Sequence, residues 1–403
     1  MDRSGPFTRC GIDSVEIARI ERLLHETPKE DLLRIFSAEE LQDAGDGAGR
    51  VASIAARFAA KEACLKLFPR ETALGQIGPE DFMVARDGYG APRLVPSQKA
   101  QELLDRYRLR AIALSLTHHD ASASAVAVTE PTETPVPFVG KLIYYLLPIR
   151  RRLVLSNLRR VFGGKIPEKE IVGLAQAFYG HLARFVFEFL RIPWLSAERR
   201  TSLLRVENIE AILRAAEQGK GVLVLTGHLG NWELATVVGM ANFPQYRGRF
   251  YIPRKPLNPA WLNTLVIKRF HRAGLGVLPT KRAIDAILDQ LAAEDAVVFI
   301  LDQHAGGRDG VEVDLFGHPA RTFRSLATIA LSTGAPVVPA ASWREPDGHH
   351  VLRFEEALPV IECDAPGEAI RANTRAYNAA LERLILRHPE QWFWLHRRWR
   401  NPR

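Results

Sequence analysis

Apolar and polar residues alternate through residues 10–17, the period-two pattern of a strand, and apolar positions then recur at helical spacing through residues 17–25. Ser37-Ala-Glu-Glu40 carries the serine and, three residues on, the glutamate of a capping box, so a helix is predicted to start there. A long amphipathic helix is predicted over residues 52–68, stopped by Pro69. Residues 82–85 and 92–95 flank Arg86-Asp-Gly-Tyr-Gly-Ala91 as the arms of a β-hairpin. Residues 111–116 and 123–128 read as two more strands around the polar turn 117–122. Together these elements predict a compact α+β domain.

A Pro/Thr-rich segment, residues 129–137, then interrupts the pattern with the composition of an extended linker. Beyond it helical periodicity dominates to about Gln218. Short β-branched runs at 221–226, 296–301 and 335–340 are each reached from a helical stretch, an alternation that predicts an α/β sheet. The expected division is a first domain at 1–130, a linker at 131–139 and a second domain at 140–403.

Composition narrows the class. The chain has 403 residues, 47% apolar and 25% charged, which suits a folded globular protein of two or three domains. A disordered chain, a disulfide scaffold and a fibrous repeat are excluded. Charge is unevenly shared: residues 1–130 hold 17 Lys and Arg against 20 Asp and Glu, whereas the whole chain carries +8. The second domain is therefore the basic one, and an anionic surface or ligand is its expected partner. Cys10, Cys64 and Cys363 form no spaced framework, which points to a reducing compartment. The first residues lack the apolar core of a signal peptide.

The stretch 136–149 is apolar but short, carries Lys141 and is broken by Pro137 and Pro148, so it is expected to lie on a bilayer and not to cross it. From Thr134 to Pro167 there is no acidic residue, while Lys141, Arg150, Arg151, Arg152, Arg159, Arg160 and Lys165 are interleaved with aromatic and aliphatic positions. This suits peripheral contact with an anionic membrane. No nucleic-acid motif accompanies the basic residues, so nucleic acid is not an expected partner.

Asp13 stands inside the first predicted strand, where a carboxylate is costly unless paired. Glu62 lies on the long helix in Arg57-Phe-Ala-Ala-Lys-Glu-Ala63, and Lys66 follows one turn later on the same face. Two carboxylates from separate elements, with lysines such as Lys61 and Lys66 beside them, suit a hard divalent cation and the phosphates it bridges. On spacing alone the same residues also suit a solvated helix face and one satisfied strand aspartate.

The segments GIDSVEIARIERLL, FSAEEL, RFAAKEACLKLF and LSLTHHDASASAVAV, in that order and spacing, resemble the holo-acyl carrier protein synthase family of 4′-phosphopantetheinyl transferases, over nearly all of residues 8–130. The resemblance implies that Asp13 and Glu62 hold Mg2+ against the diphosphate of coenzyme A, the substrate. It implies that Lys66 neutralises or protonates the departing 3′,5′-ADP and that His118 stands near the site. Arg19 and Arg22 fall where the family's first helix offers cations to the acidic carrier protein, whose serine attacks the β-phosphate. Arg57 and Lys61 are further cations expected near the nucleotide. Where the family has a Gly-x-Gly loop, this chain reads Leu-Phe-Pro-Arg-Glu-Thr-Ala-Leu-Gly75, and Arg70 is the candidate to replace that phosphate contact. A homotrimer through the first domain is expected on the same ground.

The second constellation follows a strand. Residues 221–226 run into Gly227-His-Leu-Gly-Asn-Trp-Glu233, and a strand ending in a glycine turn before a helix is where α/β folds place reactive groups. His228 suits a general base, with Glu233 reaching back to fix its tautomer and support the imidazolium. That is the base and orienter of a triad without its nucleophile, an arrangement for direct acyl transfer to an external hydroxyl. A bare histidine and glutamate at this spacing also describe a helix start with a buried histidine.

The segments TGHLGNWE, YIPRKPLNPAWLN, VVFILDQH, LFGHPARTF and WFWLHRRWR resemble, in order, the lipid A biosynthesis lauroyl/myristoyl acyltransferases of the lysophospholipid acyltransferase group, over about 140–400. The resemblance implies that His228 and Glu233 are the catalytic pair and that Arg254 stabilises an oxyanion or binds a substrate phosphate. It places Asp302 and Gln303 near the site and Arg321 and Thr322 in an adjoining loop. Such enzymes move a fatty acyl chain from acyl carrier protein to a hydroxyl of a lipid acceptor.

The expectation is a bifunctional transferase. An α+β 4′-phosphopantetheinyl transferase-like domain is followed by an α/β lysophospholipid acyltransferase-like domain, peripheral at the cytoplasmic face of the inner membrane. The alternative is that one of the two domains, the first being the better candidate, is inactive and serves to bind carrier protein.

Overall fold

The computed structural model describes residues 8–400 apart from 70–72, 74, 133, 148, 241–245 and 281–282. The chain divides into two units, residues 1–133 with 162–168 and residues 134–161 with 169–403.

In the first unit, β1 (Arg9–Glu16), β2 (Phe82–Arg86), β3 (Pro92–Pro96), β4 (Ala113–His118) and β5 (Ser122–Thr129) form an antiparallel sheet of order β1-β5-β4 and a separate β2–β3 hairpin. β5 alternates buried and half-buried positions along its whole length, as expected of an antiparallel strand with one face on the core. That face packs on the helix Arg50–Leu65, whose Ile54, Ala55, Ala59 and Ala63 are fully enclosed. The small alanines let helix and sheet approach closely. The helix Ile17–Glu26 continues directly from β1, and Ser37 begins Ala38–Asp43 with the expected capping box. Ser37 Oγ accepts from Glu40 N at 3.1 Å, and Glu40 Oε2 accepts from Ser37 N at 2.8 Å.

The second unit holds β6 (Leu204–Glu207), β7 (Val222–Thr226), β8 (Phe250–Arg254), β9 (Leu275–Pro279), β10 (Ala296–Ile300), the hairpin β11 (Gly310–Leu315) and β12 (His318–Phe323), β13 (Val337–Arg344) and β14 (His350–Phe354). A seven-stranded sheet runs β6-β14-β13-β7-β10-β8-β9. Its β13, β7, β10, β8 and β9 are parallel, while β14 runs antiparallel to β13. Every position of β13 and all but the last of β7 are buried, which is why both read as continuous apolar runs. β8 and β9 carry Pro253, Gly276 and Pro279, which blunt the apolar pattern, so periodicity does not mark these two strands.

Among the described residues no helix is long and apolar enough to cross a membrane. The helix Phe138–Leu146 crosses the long helix Glu168–Arg191 at Gly140, where a Cβ would lie 2.2 Å from the Gln176 carbonyl oxygen. Its outer face leaves Phe138, Val139, Leu142, Tyr145 and Leu146 exposed.

Candidate active sites

In the first unit the site begins with a glycine. A Cβ at Gly11 would fall 1.9 Å from the Ala63 carbonyl oxygen, so only glycine lets β1 pass this close to the helix Arg50–Leu65. The close crossing brings Asp13, two residues along the strand, toward Glu62, which precedes Ala63. Asp13 Oδ1 accepts from Lys66 Nζ at 2.7 Å, and the same ammonium donates to the Ile12 carbonyl at 2.8 Å. The Glu62 carboxyl is raised above its ordinary range, first by burial and then by the Asp13 charge, against the pull of Lys66 and Arg19. The two acids therefore share one electrostatic neighbourhood. Mutually repelling carboxylates with only oxygen donors suit a hard divalent cation.

His118 ends β4. Register places it opposite Ala123, and Asp13 opposite Ala125, so both side chains leave the sheet on the face covered by the helix. His118 is exposed, as are Arg19 and Arg22 on the helix Ile17–Glu26. Arg70 lies outside the described residues.

Two expected nucleotide contacts are corrected. Lys61 is fully buried, pairs with Glu40 at 2.9 Å, and donates to the carbonyls of Pro79 at 3.1 Å and Phe82 at 2.9 Å. Arg57 is also buried and is bonded to Asp43 and Ser53. The reason is helical phase. Glu62 and Lys66 share one stripe of the helix, whereas Arg57 and Lys61, one turn apart from each other, share the next stripe round, which faces the core. Both cations serve the fold.

In the second unit the reactive residues lie past the carboxyl ends of adjacent parallel strands, the usual ligand-facing edge of an α/β sheet. Thr226 pairs with Ile300, so β7 and β10 end in register, and His228 and Asp302 follow each end by two residues. The fully buried Asp302 accepts from His228 N through Oδ2 at 2.7 Å and from His228 Nδ1 through Oδ1 at 2.8 Å. Trp392 Nε1 donates a third bond to Oδ2 at 2.9 Å. Burial opposes charge on Asp302, yet these donors and the nearby imidazoles hold its carboxyl well below the usual range. An ionised Asp302 makes Nδ1 the protonated nitrogen and leaves Nε2 as the base. Burial alone lowers the His228 pKa, but Asp302, with the charge of Glu233, leaves it raised overall.

Glu233 does not orient His228, and that expectation is corrected. Its Oε1 accepts from Arg254 Nη1 at 3.0 Å, while Asp302 takes the orienting place. Glu233 sits on the first turn of the helix Trp232–Gly239, and Arg254 ends β8, which pairs with β10. The Arg254 guanidinium stacks 5.1 Å from the Phe270 ring.

The loop is held by groups that no local motif singles out. At Gly230, φ is +57° and a Cβ would lie 2.3 Å from the Ser342 carbonyl oxygen. Gly230 N donates to Gln391 O at 3.0 Å and Phe393 N to His228 O at 3.0 Å, so the terminal aromatic run braces the turn. Asn231 caps the helix through Leu234 N at 3.0 Å and donates to Glu188 Oε2 at 2.8 Å. Glu188 also accepts from Arg344 Nε at 2.7 Å. Burial raises the Glu188 carboxyl, but its bonds to His350 and Arg344 prevail and hold it well below its ordinary range. The His228 ring meets Trp232 edge-on at 5.0 Å and lies 4.9 Å from His396. Donor atoms of His228, Asp302 and His396 lie within 4.8 Å of one another, but three N–H groups already occupy Asp302. Gln303 is exposed. Arg321 donates to the Gly310 carbonyl at 3.0 Å, and the buried Thr322 accepts from Arg398 at 2.6 Å, so both brace the β11–β12 hairpin.

Comparison with known proteins follows the same division. The family described as bacterial lipid A biosynthesis acyltransferase matches residues 133–401, and the 4′-phosphopantetheinyl transferase superfamily matches residues 9–127. The phosphatidylinositol mannoside acyltransferase of Mycolicibacterium smegmatis is 27% identical over 246 residues, covering 60% of this chain and 77% of that protein. The lipid A biosynthesis lauroyltransferase of Escherichia coli is 25% identical over 267 residues, covering 65% and 83%. The holo-[acyl-carrier-protein] synthase of Moorella thermoacetica is 37% identical over 121 residues, covering 30% of this chain and 92% of that protein.

Proposed function

This chain belongs to the bacterial lipid A biosynthesis acyltransferase family and carries a holo-acyl carrier protein synthase domain at its amino end, and on that premise we propose that it is a bifunctional transferase with one acidic carrier protein as common partner. The first domain moves 4′-phosphopantetheine from coenzyme A to the carrier serine. The second moves an acyl chain from the loaded carrier to a hydroxyl of a lipid acceptor, at the cytoplasmic face of an anionic membrane contacted through the helix Phe138–Leu146. A tether between two sites for one partner raises the effective concentration of that partner at the second site.

In the first reaction Asp13 and Glu62 are the residues that would hold Mg2+, which when bound supplies positive charge against the diphosphate. Lys66, already fixed on Asp13, offers its ammonium to the departing phosphate. His118 leaves the sheet on the same face as Asp13. Arg19 and Arg22 present cations to the carrier.

In the acyl transfer His228 Nε2 takes the proton of the acceptor hydroxyl as its oxygen attacks the thioester carbon. Asp302 stabilises the imidazolium that forms, and the same histidine returns the proton to the leaving thiolate. Arg254, held by Glu233, supplies the cation for the oxyanion or an acceptor phosphate. The observation that carries this reading is the double bond of Asp302 to the backbone and ring of His228.

Two assays test it on the full chain. Transfer of label from coenzyme A to apo-carrier protein is expected of the wild type and absent from Asp13→Ala and Glu62→Ala. Label at or below those controls in the wild type would show the first domain to be a binding module. Acyl transfer from loaded carrier to lipid is expected to vanish in His228→Ala. Activity there within a few-fold of wild type would remove the base assignment.

A further inference from the structure

The second unit carries a further apolar surface, separate from the helix Phe138–Leu146 in sequence and joined to the acyl-transfer site through one helix. On the last turns of Glu168–Arg191 the inward residues are Phe185 and Glu188. Phe185 stacks 4.3 Å from Trp232, which itself meets the His228 ring, and Glu188 holds Asn231. The opposite arc carries Val186, Phe187 and Leu190, all exposed, and Trp194 follows in the turn Ile192–Trp194. Phe187 is 62% exposed and Trp194 75%. Large apolar side chains gathered this way on one arc mark an interaction surface.

A second helix extends it. On Ala260–Ala273 the residues Trp261, Leu265, Lys268 and Arg272 fall on one stripe, all exposed, apolar at the start and basic at the end. Arg269 flanks that stripe and bonds the Phe189 carbonyl at 3.1 Å while its guanidinium covers the Phe189 ring at 4.5 Å. The two helices therefore touch at this pair, and the Arg269 side chain also feels the charge of Glu233. Between Glu233 and Asp285 the chain contains no acidic residue, and Lys255, Lys268 and Arg272 are exposed.

We infer that these two ridges are a second docking surface for an anionic phospholipid bilayer, with Val186, Phe187, Leu190, Trp194, Trp261 and Leu265 entering the acyl region and Lys255, Lys268 and Arg272 meeting the headgroups. The inference rests on the reading of His228 as an acyltransferase centre with a lipid acceptor, because it sets the bilayer beside that centre. Aromatic and aliphatic groups rimmed by lysine and arginine are the composition of an interfacial anchor. Each basic residue near an anionic surface adds to the attraction.

The tryptophans supply the test. Among the seven in the chain, only Trp194 and Trp261 are exposed. Vesicles of phosphatidylglycerol with brominated acyl chains should therefore quench the fluorescence of the full chain mainly through these two. Trp194→Phe and Trp261→Phe should each remove a clear share of the quenching, and the double variant most of it. Vesicles of brominated phosphatidylcholine should quench far less. Phe187→Ser with Leu190→Ser should weaken sedimentation with phosphatidylglycerol vesicles about tenfold or more. Undiminished quenching in the double tryptophan variant, equal quenching by the two lipids, or protection of the cations by a single-stranded oligonucleotide in place of vesicles would overturn the surface. His228→Ala separates the two readings. If the wild type acylates lipid but no quenching occurs, the surface fails alone; if His228→Ala is quenched normally and the wild type transfers no acyl group, the acyltransferase reading fails alone.

Discussion

Asp302 holds His228 twice, accepting the backbone N–H at 2.7 Å and the ring Nδ1 at 2.8 Å, so one buried carboxylate sets both the path of the loop and the tautomer of the base. Asp302→Asn should leave the chain folded and lower acyl-transfer kcat by roughly 10^3- to 10^4-fold, the scale of losing the orienting acid of a triad.

The same pair sets a pH dependence. The base works in its neutral form, and the His228 pKa is raised above its ordinary 6.5, with Asp302 and Glu233 opposing burial. kcat/KM for acyl transfer should therefore rise with pH through a midpoint above 6.5. Removing a raising charge moves that midpoint down, so Glu233→Gln should shift it to lower pH. A profile whose midpoint is unmoved in that variant would show that Glu233 does not act on the base.

Lys61 and Lys66 lie on neighbouring stripes of one helix and should fail in opposite ways. Lys61→Met leaves Glu40 charged and buried, which should cost about 3–5 kcal/mol and lower the melting of the first unit. Lys66→Met removes a half-exposed ammonium, so melting should hardly change while label transfer from coenzyme A falls. Calorimetry and the transfer assay, run on both variants, check the contrast.

Gly230 has no room for a side chain. Gly230→Ala would press a methyl against the Ser342 carbonyl at a positive φ, at a cost of about 1–3 kcal/mol. The loop should relieve this by moving, and acyl transfer should fall with a normal circular dichroism spectrum.

Glu188 compensates the buried Arg344 and holds Asn231. Glu188→Gln should destabilise the chain by about 3 kcal/mol at neutral pH. Because the folded carboxyl titrates below its ordinary range, its contribution is complete above about pH 4.5 and fades as pH falls further. Denaturant titrations of wild type and variant should accordingly converge in acid.

Local pattern was enough for several features. The β2–β3 hairpin, the Ser37 cap, the long alanine-rich helix and the buried strands β7 and β13 all follow from periodicity and turn chemistry among near neighbours. The reactive residues were also visible as residue types, because a carboxylate in a strand and a histidine after a glycine turn are anomalous where they stand. Their partnerships were not. Glu233 follows His228 by only five residues and invites pairing, yet Asp302, 74 residues away, is the group that β7 and β10 deliver in register. Lys61 and Glu62 are adjacent in the chain and point to different environments, since which stripe of a helix faces the core depends on what packs against it. Spacing along a chain carries information over a few residues. Strand order, helical phase against a neighbour, and the enclosure that moves a pKa arise only when distant segments meet.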